Sequence, residues 1–310
     1  MADEITLPSR YEIKKSLGSG GAGRVILAYD SIRKNMVAVK ILRQAKHLKK
    51  DHLVKEFNIL SELNHPNLVK VYDFGFITEQ IPYYSMEYIK GNNLYTFLSK
   101  TKNLHYLPEI IEQTLMALEY LHKKELLHAD IKPENILIMD MNERINIKLV
   151  DFGLVLLTSQ NKSNISGTVR FIAPEILSGN KYSPASDLYA FGVSLIEALT
   201  QAPVSITTNI ADSNYQDKFN TISDLLIRSG ILNATSLTSY IINLSNHKIE
   251  DRPQTADEAL KSLTITLGKS IRNTDFNIDE IFIYRSETME KIRSFFSMTE
   301  GSTLILEGYT

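Results

Sequence analysis

From Tyr11 to Met86 the apolar positions alternate in short runs, RVILAYD, MVAVKIL, LVKVYDFGFI and YYSMEYI, rich in β-branched and aromatic residues and separated by turn formers. This two-residue period predicts strands. One helical segment interrupts them, where Leu53, Phe57, Leu60 and Asn64 recur on one helix face and Asp51 is placed as the N-cap. Beyond Gly91 the period becomes helical. PEIIEQTLMALEYLHKK opens on Pro108, a favoured first-turn residue, and aligns Ile111, Leu115, Leu118 and Leu121 on one stripe. SPASDLYAFGVSLIEALT predicts a second helix, apolar enough to be buried all round. Between these helices ENILIMD and INIKLVD predict a strand pair turning at MNER. The pattern changes at the Gly/Asn-rich stretch 87–93, so the expected architecture is α+β in two lobes. The first is a small antiparallel β lobe with one main helix, and the second is larger and mostly helical.

A chain of 310 residues, 43% of them hydrophobic, is near the limit of a single core, which independently favours two lobes with a cleft between them. The absence of cysteine excludes disulfides, a thiolate nucleophile and cysteine-bound metal, and suits a reducing, cytoplasmic setting. With 34 basic against 36 acidic side chains, the net charge of -2 carries no signal for a nucleic-acid partner. The N-terminal MADEITLPSR has no apolar run, so no secretory signal is expected, and no stretch approaches the roughly 20 apolar residues of a membrane-spanning helix.

Three constellations carry chemistry. Gly18, Gly20 and Gly23 form a G-x-G-x-x-G that leads into a strand rather than a helix, so its glycines fall in a hairpin turn whose N–H groups can close over phosphates. Taken alone, the motif fits a plain flexible turn equally well. The strand VAVK ends on Lys40, whose ammonium needs a partner if buried, and Glu56 on the predicted helix is a candidate. Two ordinary surface charges would read the same way. The loop HADIKPEN, residues 128–135, gathers His128, Asp130, Lys132 and Asn135, and Asp151 follows at the end of the next apolar strand. Asp151 and Asn135 are hard oxygen ligands suited to magnesium. Together with a free carboxylate, two lysines and a glycine lid they make a phosphoryl-transfer site.

Taken in order, GSGGAGRV, VAVK, the glutamate of KEFNILSELNHPNLV, HADIKPEN, DFG at 151–153, APE at 173–175, DLYAFG at 187–192 and the arginine of EDRP resemble the protein kinase family over about residues 11–268. Tyr189 in DLYAFG gives the chain a bacterial Ser/Thr-kinase look. The resemblance implies a small lobe at 11–86, a hinge at 87–93 and a large lobe at 94–268. It also implies ATP and Mg2+ as cofactors and a protein substrate with a serine or threonine acceptor. Lys40 would hold the α- and β-phosphates and pair with Glu56, under a lid of Gly18, Gly20, Gly23 and Val25. Asn135 and Asp151 would bind magnesium, and Asp130 would take the substrate hydroxyl's proton. Lys132 would steady the γ-phosphate and Thr168 would stand against Asp130. Met86 falls at the gatekeeper position, with Glu87 and Ile89 offering backbone groups to the adenine edge. Glu175 and Arg252 match a structural ion pair.

Ala129 departs from the family pattern, standing where regulated members carry a phosphate-reading arginine, and Phe171 replaces a frequent tyrosine. Without that arginine, loop phosphorylation is not expected to be needed for activity, unless Arg170 takes over the sensing. A catalytically weak pseudokinase scaffold in a signalling assembly is the alternative, disfavoured because Lys40, Asp130, Asn135 and Asp151 are all present. A small-molecule kinase fits APE and Thr168 less well. Residues 269–310 lie outside the resemblance. They read as an amphipathic helix followed by the strand STLILEG, similar to the lead-in of an AAA-type ATPase domain, which would imply further C-terminal domains; an ordinary extension packed on the large lobe is the competing expectation.

Overall fold

The first lobe holds five strands, β1 Tyr11–Gly20, β2 Gly23–Asp30, β3 Asn35–Leu42, β4 Val71–Thr78 and β5 Ile81–Glu87; the four alternating runs correspond to β2 to β5, and β1 lies in YEIKKSLGSG, which none of them covers. The five strands form one antiparallel sheet in the order β1-β2-β3-β5-β4. A computed structural model describes residues 7–20, 23–42, 50–78, 81–141, 144–151, 156–157, 169–204 and 213–268, leaving out the side chains of 50–53, 55, 56, 156, 157 and 213–215. These residues belong to one unit, Met1–Lys269, and the tail 270–310 lies outside the described residues.

The alternation within β3 decides where Lys40 points. Val37, Val39 and Ile41 join Leu7, Tyr11, Ile26 and Tyr83 in a cluster on one face of the sheet. Ala38 and the flanking Leu42 pack into the main core on the other face, and Lys40 shares their parity. Helix α1, Lys50–Ser61, buries Leu60 and half-buries Phe57, which stacks on Phe74 of β4 at 5.3 Å. The expected N-cap is displaced. The helix already includes Lys50, so Asp51 lies within it rather than at its N-cap. Asn64 lies past the helix end and gives its backbone N–H to the Tyr120 hydroxyl at 3.0 Å.

Two-residue strand β6, Asn92–Asn93, and helix α2, Leu94–Leu98, open the second lobe. Helix α3, Leu107–Lys123, buries Leu107, Ile110, Ile111, Thr114, Leu115, Ala117, Leu118 and Leu121, the stripe expected from its sequence. Strands β7 Leu126–Leu127, β8 Ile136–Asp140, β9 Ile145–Leu149 and β10 Leu156–Leu157 follow, with β8 and β9 paired antiparallel as predicted. Helices α4 Pro174–Leu177, α5 Pro184–Thr200, α6 Ser213–Arg228, α7 Ala234–Leu244 and α8 Ala256–Thr266 complete the lobe. Every residue of α5 from Ala185 to Leu199 is buried, so this helix is the centre of the core, and its start is fixed by a capping box between Ser183 and Ser186. The result is the expected two-lobed architecture. No helix among the described residues is long and apolar enough to cross a membrane.

Candidate active site

The loop after β7 is organised by a carboxylate reaching up from α5. Asp187 accepts the His128 N–H and the Ala129 N–H, each at 2.9 Å, and meets His122 Nε2 of α3 at 3.0 Å. Burial alone would raise the Asp187 pKa, but these partners, His122 foremost, hold it below the ordinary value. The tie lets Ala129 keep a left-handed φ of 59°, a conformation unusual for a residue with a Cβ. Beneath it the His128 ring is fully buried, and burial lowers its pKa although nearby aspartates pull the other way.

The turn presents Asp130 in a knot of charge-assisted bonds. Lys132 Nζ donates to Asp130 Oδ2 at 2.7 Å, and Asn135 Nδ2 donates to the same oxygen at 3.1 Å and to the Asp130 carbonyl at 2.8 Å. With the Asn135 amide nitrogen committed, its Oδ1 is the atom left to face a cation. The Asn135 carbonyl accepts Val150 N–H at 2.9 Å, so the loop is joined by one hydrogen bond to the segment carrying Asp151.

Asp151 also has a left-handed φ, 67°, and pairs with Lys40 Nζ. Burial works to raise the Asp151 pKa, but the Lys40 charge and hydrogen bond outweigh it, with Lys132 and His128 adding, and the carboxyl lies below its ordinary value. The expected Lys40–Glu56 pair cannot be assigned here, because the Glu56 side chain lies outside the described residues. Among the described residues, Asp151 is the carboxylate that Lys40 meets.

The three glycines separate into two kinds. Gly23 has φ 149°, and a Cβ there would come within 2.1 Å of the Ile41 carbonyl oxygen, so the approach of β2 to β3 excludes any side chain. At Gly18 and Gly20 a Cβ would meet nothing within 4 Å. These two face open space, as a cradle for a ligand requires. Val25 pairs in register with both Gly18 and Lys40, which places it between lid and lysine. Met86 is buried opposite Ala38 and Val71, and Ile89 is buried just beyond. The Glu87 N–H is committed to the Lys70 carbonyl at 2.8 Å, so a base edge would meet the Glu87 carbonyl rather than its N–H.

These residues fit a magnesium nucleotide on the chemistry of the donor set. Asp151 and Asn135 supply one carboxylate and one amide oxygen, and among the described residues there is no group of three or more His, Cys, Asp or Glu that could hold a metal. A cation so sparsely held needs oxygens from a ligand, the usual condition of magnesium bound with phosphates. Lys40, paired with Asp151, puts a cation beside that donor pair.

Glu175 and Arg252 pair as expected, with Arg252 Nη1 and Nη2 donating to the two carboxylate oxygens at 2.9 and 2.8 Å. Arg252 also donates to the carbonyls of Asn246 and His247, and Ser186 donates to Glu175. Arg170, the suggested substitute sensor, is already bound to Glu197 of α5 at 2.9 Å. Thr168, Phe152 and Gly153 lie outside the described residues. Asp187, His122 and the Lys148–Glu87 ion pair at 3.0 Å were assigned no role on sequence grounds. For Asp187 a signal existed: a carboxylate inside a helix apolar all round must have a partner.

A family model described as protein kinase domain matches residues 11–264. The chain is 35% identical over 204 residues to serine/threonine-protein kinase PrkC of Bacillus subtilis (strain 168), covering 63% of this chain and 31% of that protein. It is 35% identical over 203 residues to Aurora/IPL1-related protein kinase 2 of Caenorhabditis elegans, covering 62% of this chain and 64% of the relative. The RAC family serine/threonine-protein kinase homolog of Dictyostelium discoideum is 34% identical over 206 residues, with 62% and 45% covered. The chain therefore spans about a third of PrkC and under two thirds of the other two relatives. With Lys40 paired to Asp151, Asn135 bound to Asp130 and the match extending over residues 11–264, the chain belongs to the protein kinase family.

Proposed function

We propose that this protein transfers the γ-phosphate of Mg-ATP to serine or threonine hydroxyls of a protein substrate, with residues 11–268 as the kinase domain acting in the cytoplasm. The observation that carries the reading is the Asp130–Lys132–Asn135 knot joined through Val150 to Asp151 and Lys40. When bound, Mg-ATP supplies the phosphoryl group and the cation that offsets its charge. Asp130, oriented through Oδ2 by Lys132 and Asn135, accepts the proton of the attacking hydroxyl. Lys132, two residues along the same loop, brings positive charge to the transferring group. Lys40 would meet phosphate oxygens, and Asp151 and Asn135 would provide the oxygens for magnesium. Gly18, Gly20 and Val25 would cover the phosphates, and Met86, Glu87 and Ile89 would receive the base.

The serine/threonine preference is supported by Lys132 in the loop and by the names of PrkC and the Dictyostelium relative. The test is incubation with labelled ATP, magnesium and generic protein acceptors, followed by phosphoamino-acid analysis. Phosphoserine and phosphothreonine are expected from the wild type, with a loss of about 10²–10⁴-fold in Asp130→Asn. Phosphotyrosine as the product would overturn the specificity, and equal rates in folded Asp130→Asn would overturn the assignment of the base.

A further inference from the structure

Among the described residues, strand β9 has a neighbouring strand, β8, on one side only. An edge strand leaves a row of backbone groups unpaired, and Ile145, Ile147 and Leu149 are almost wholly buried, so theirs cannot be left to water. Amide side chains and one short backbone segment take the place of the missing strand. Gln113 Nε2, from α3, donates to the Ile145 carbonyl at 3.1 Å, and Gln113 Oε1 accepts the Ile147 N–H at 2.9 Å. Asn67 Nδ2 donates to the Ile147 carbonyl at 3.1 Å. The Asn67 carbonyl accepts the Leu149 N–H at 2.9 Å, and the Leu149 carbonyl accepts the Val69 N–H at 3.0 Å.

Gln113 is itself fully used. Its Oε1 also accepts from Asn67 at 2.8 Å and its Nε2 also donates to Glu109 at 3.0 Å, so both acceptor sites and both amide hydrogens are occupied. A side chain held at four points has one rotamer and transmits position. What it positions follows from chain order: two residues beyond Leu149 stands Asp151 in its left-handed conformation, and α3 itself runs on into β7 and the loop that ends at Asn135. Gln113 thus grips the strand leading to one candidate magnesium ligand from the helix that leads to the other.

We propose that Gln113 is a positioning residue that fixes the register in which β9 presents Asp151 to Asn135, and thereby the strength with which the site holds a divalent cation. This rests on the assignment of Asp151 and Asn135 as metal ligands made above. Residues that orient metal ligands without touching the metal typically change affinity by about 10–100-fold when lost.

The test reads metal binding rather than turnover. Mn2+ is titrated by electron paramagnetic resonance into the full chain saturated with a non-hydrolysable ATP analogue. Gln113→Met, which keeps the length and removes the amide, is expected to weaken Mn2+ about 10-fold at a temperature well below its melting point. Thr114→Val is the control: its buried hydroxyl donates to Ile110 within the same helix at 2.7 Å, and it should keep wild-type Mn2+ affinity even where it melts earlier. Should Gln113→Met fail to fold, Asn146→Ala takes its place. Asn146 Oδ1 accepts from Asn67 at 3.2 Å, so its loss loosens the clamp without stranding a β9 backbone group, and a smaller shift in the same direction is expected. Wild-type Mn2+ affinity in the folded Gln113 or Asn146 variant overturns the inference and leaves the metal assignment standing. Wild-type protein whose analogue complex takes up Mn2+ no better than Asp151→Asn overturns both.

Discussion

Breaking the Lys40–Asp151 pair from its two ends should have unequal consequences. The Lys40 side chain is 2% exposed and that of Asp151 is 26% exposed. Asp151→Asn therefore leaves an ammonium enclosed in the sheet face with no carboxylate among the described residues to meet it, and removing one partner of a buried pair costs about 3–5 kcal/mol. Lys40→Met leaves the more exposed partner, which reaches water and still feels the positive field of Lys132. The methionine fills most of the lysine stem's volume, so the cost should be about 1 kcal/mol or less. At about 2–4 °C per kcal/mol for a domain of this size, Asp151→Asn should melt about 6–20 °C below wild type and Lys40→Met less than about 4 °C below. Differential scanning fluorimetry near pH 7.5, without nucleotide or metal, measures the contrast, and both variants should have lost phosphoryl transfer. An Asp151→Asn protein that melts with wild type would refute the reasoning and show that another carboxylate, Glu56 being the first to examine, holds Lys40. A larger fall for Lys40→Met than for Asp151→Asn would refute it too.

The glycines offer a second contrast: Gly23→Ala should lower the melting temperature by many degrees because its Cβ would strike the Ile41 carbonyl, whereas Gly18→Ala should melt as wild type and lose only nucleotide affinity, measured with a fluorescent ADP analogue. Equal melting temperatures for the two would contradict the division between them. Burial lowers His65 from 6.5 to about 4, so the unfolded chain binds the extra proton between those values and stability should fall as pH drops through that window. His65→Asn, which can still accept the Asn67 N–H, should flatten that part of the melting-temperature profile, and an unchanged slope would exclude His65 as a cause. Asp30, Asp151 and Asp187, all held below 3.8 against burial, should extend the loss to still lower pH.

What could be read before the fold was known, and what could not, divides along the range of the interaction. Period-two and period-3.6 patterns depend on residues a few positions apart, and they located β2, β3, β5, β8, β9, α3 and α5 to within two residues at each end. The candidate ligands were legible because HADIKPEN and DFG are short and hold several chemical types at once. Partners were harder. Lys40 needs a carboxylate wherever the chain runs, but which one it meets depends on Asp151, just past β9 and 111 positions away, and not on anything local to VAVK. The three glycines look alike in sequence, yet only contact with β3 distinguishes Gly23, which must lack a side chain, from Gly18, which faces open space. Asp187 and Gln113 share a subtler property: each is polar within a helix whose apolar face is buried, and each is bound to backbone groups of a distant segment. A polar residue in such a helix costs free energy unless a distant segment completes its hydrogen bonds. Such residues therefore announce a long-range tie without naming its other end. In this protein one tie runs to the loop bearing Asp130 and the other to the strand leading to Asp151, so the positions that interrupt the helix pattern are bound to the two segments that carry the proposed catalytic groups.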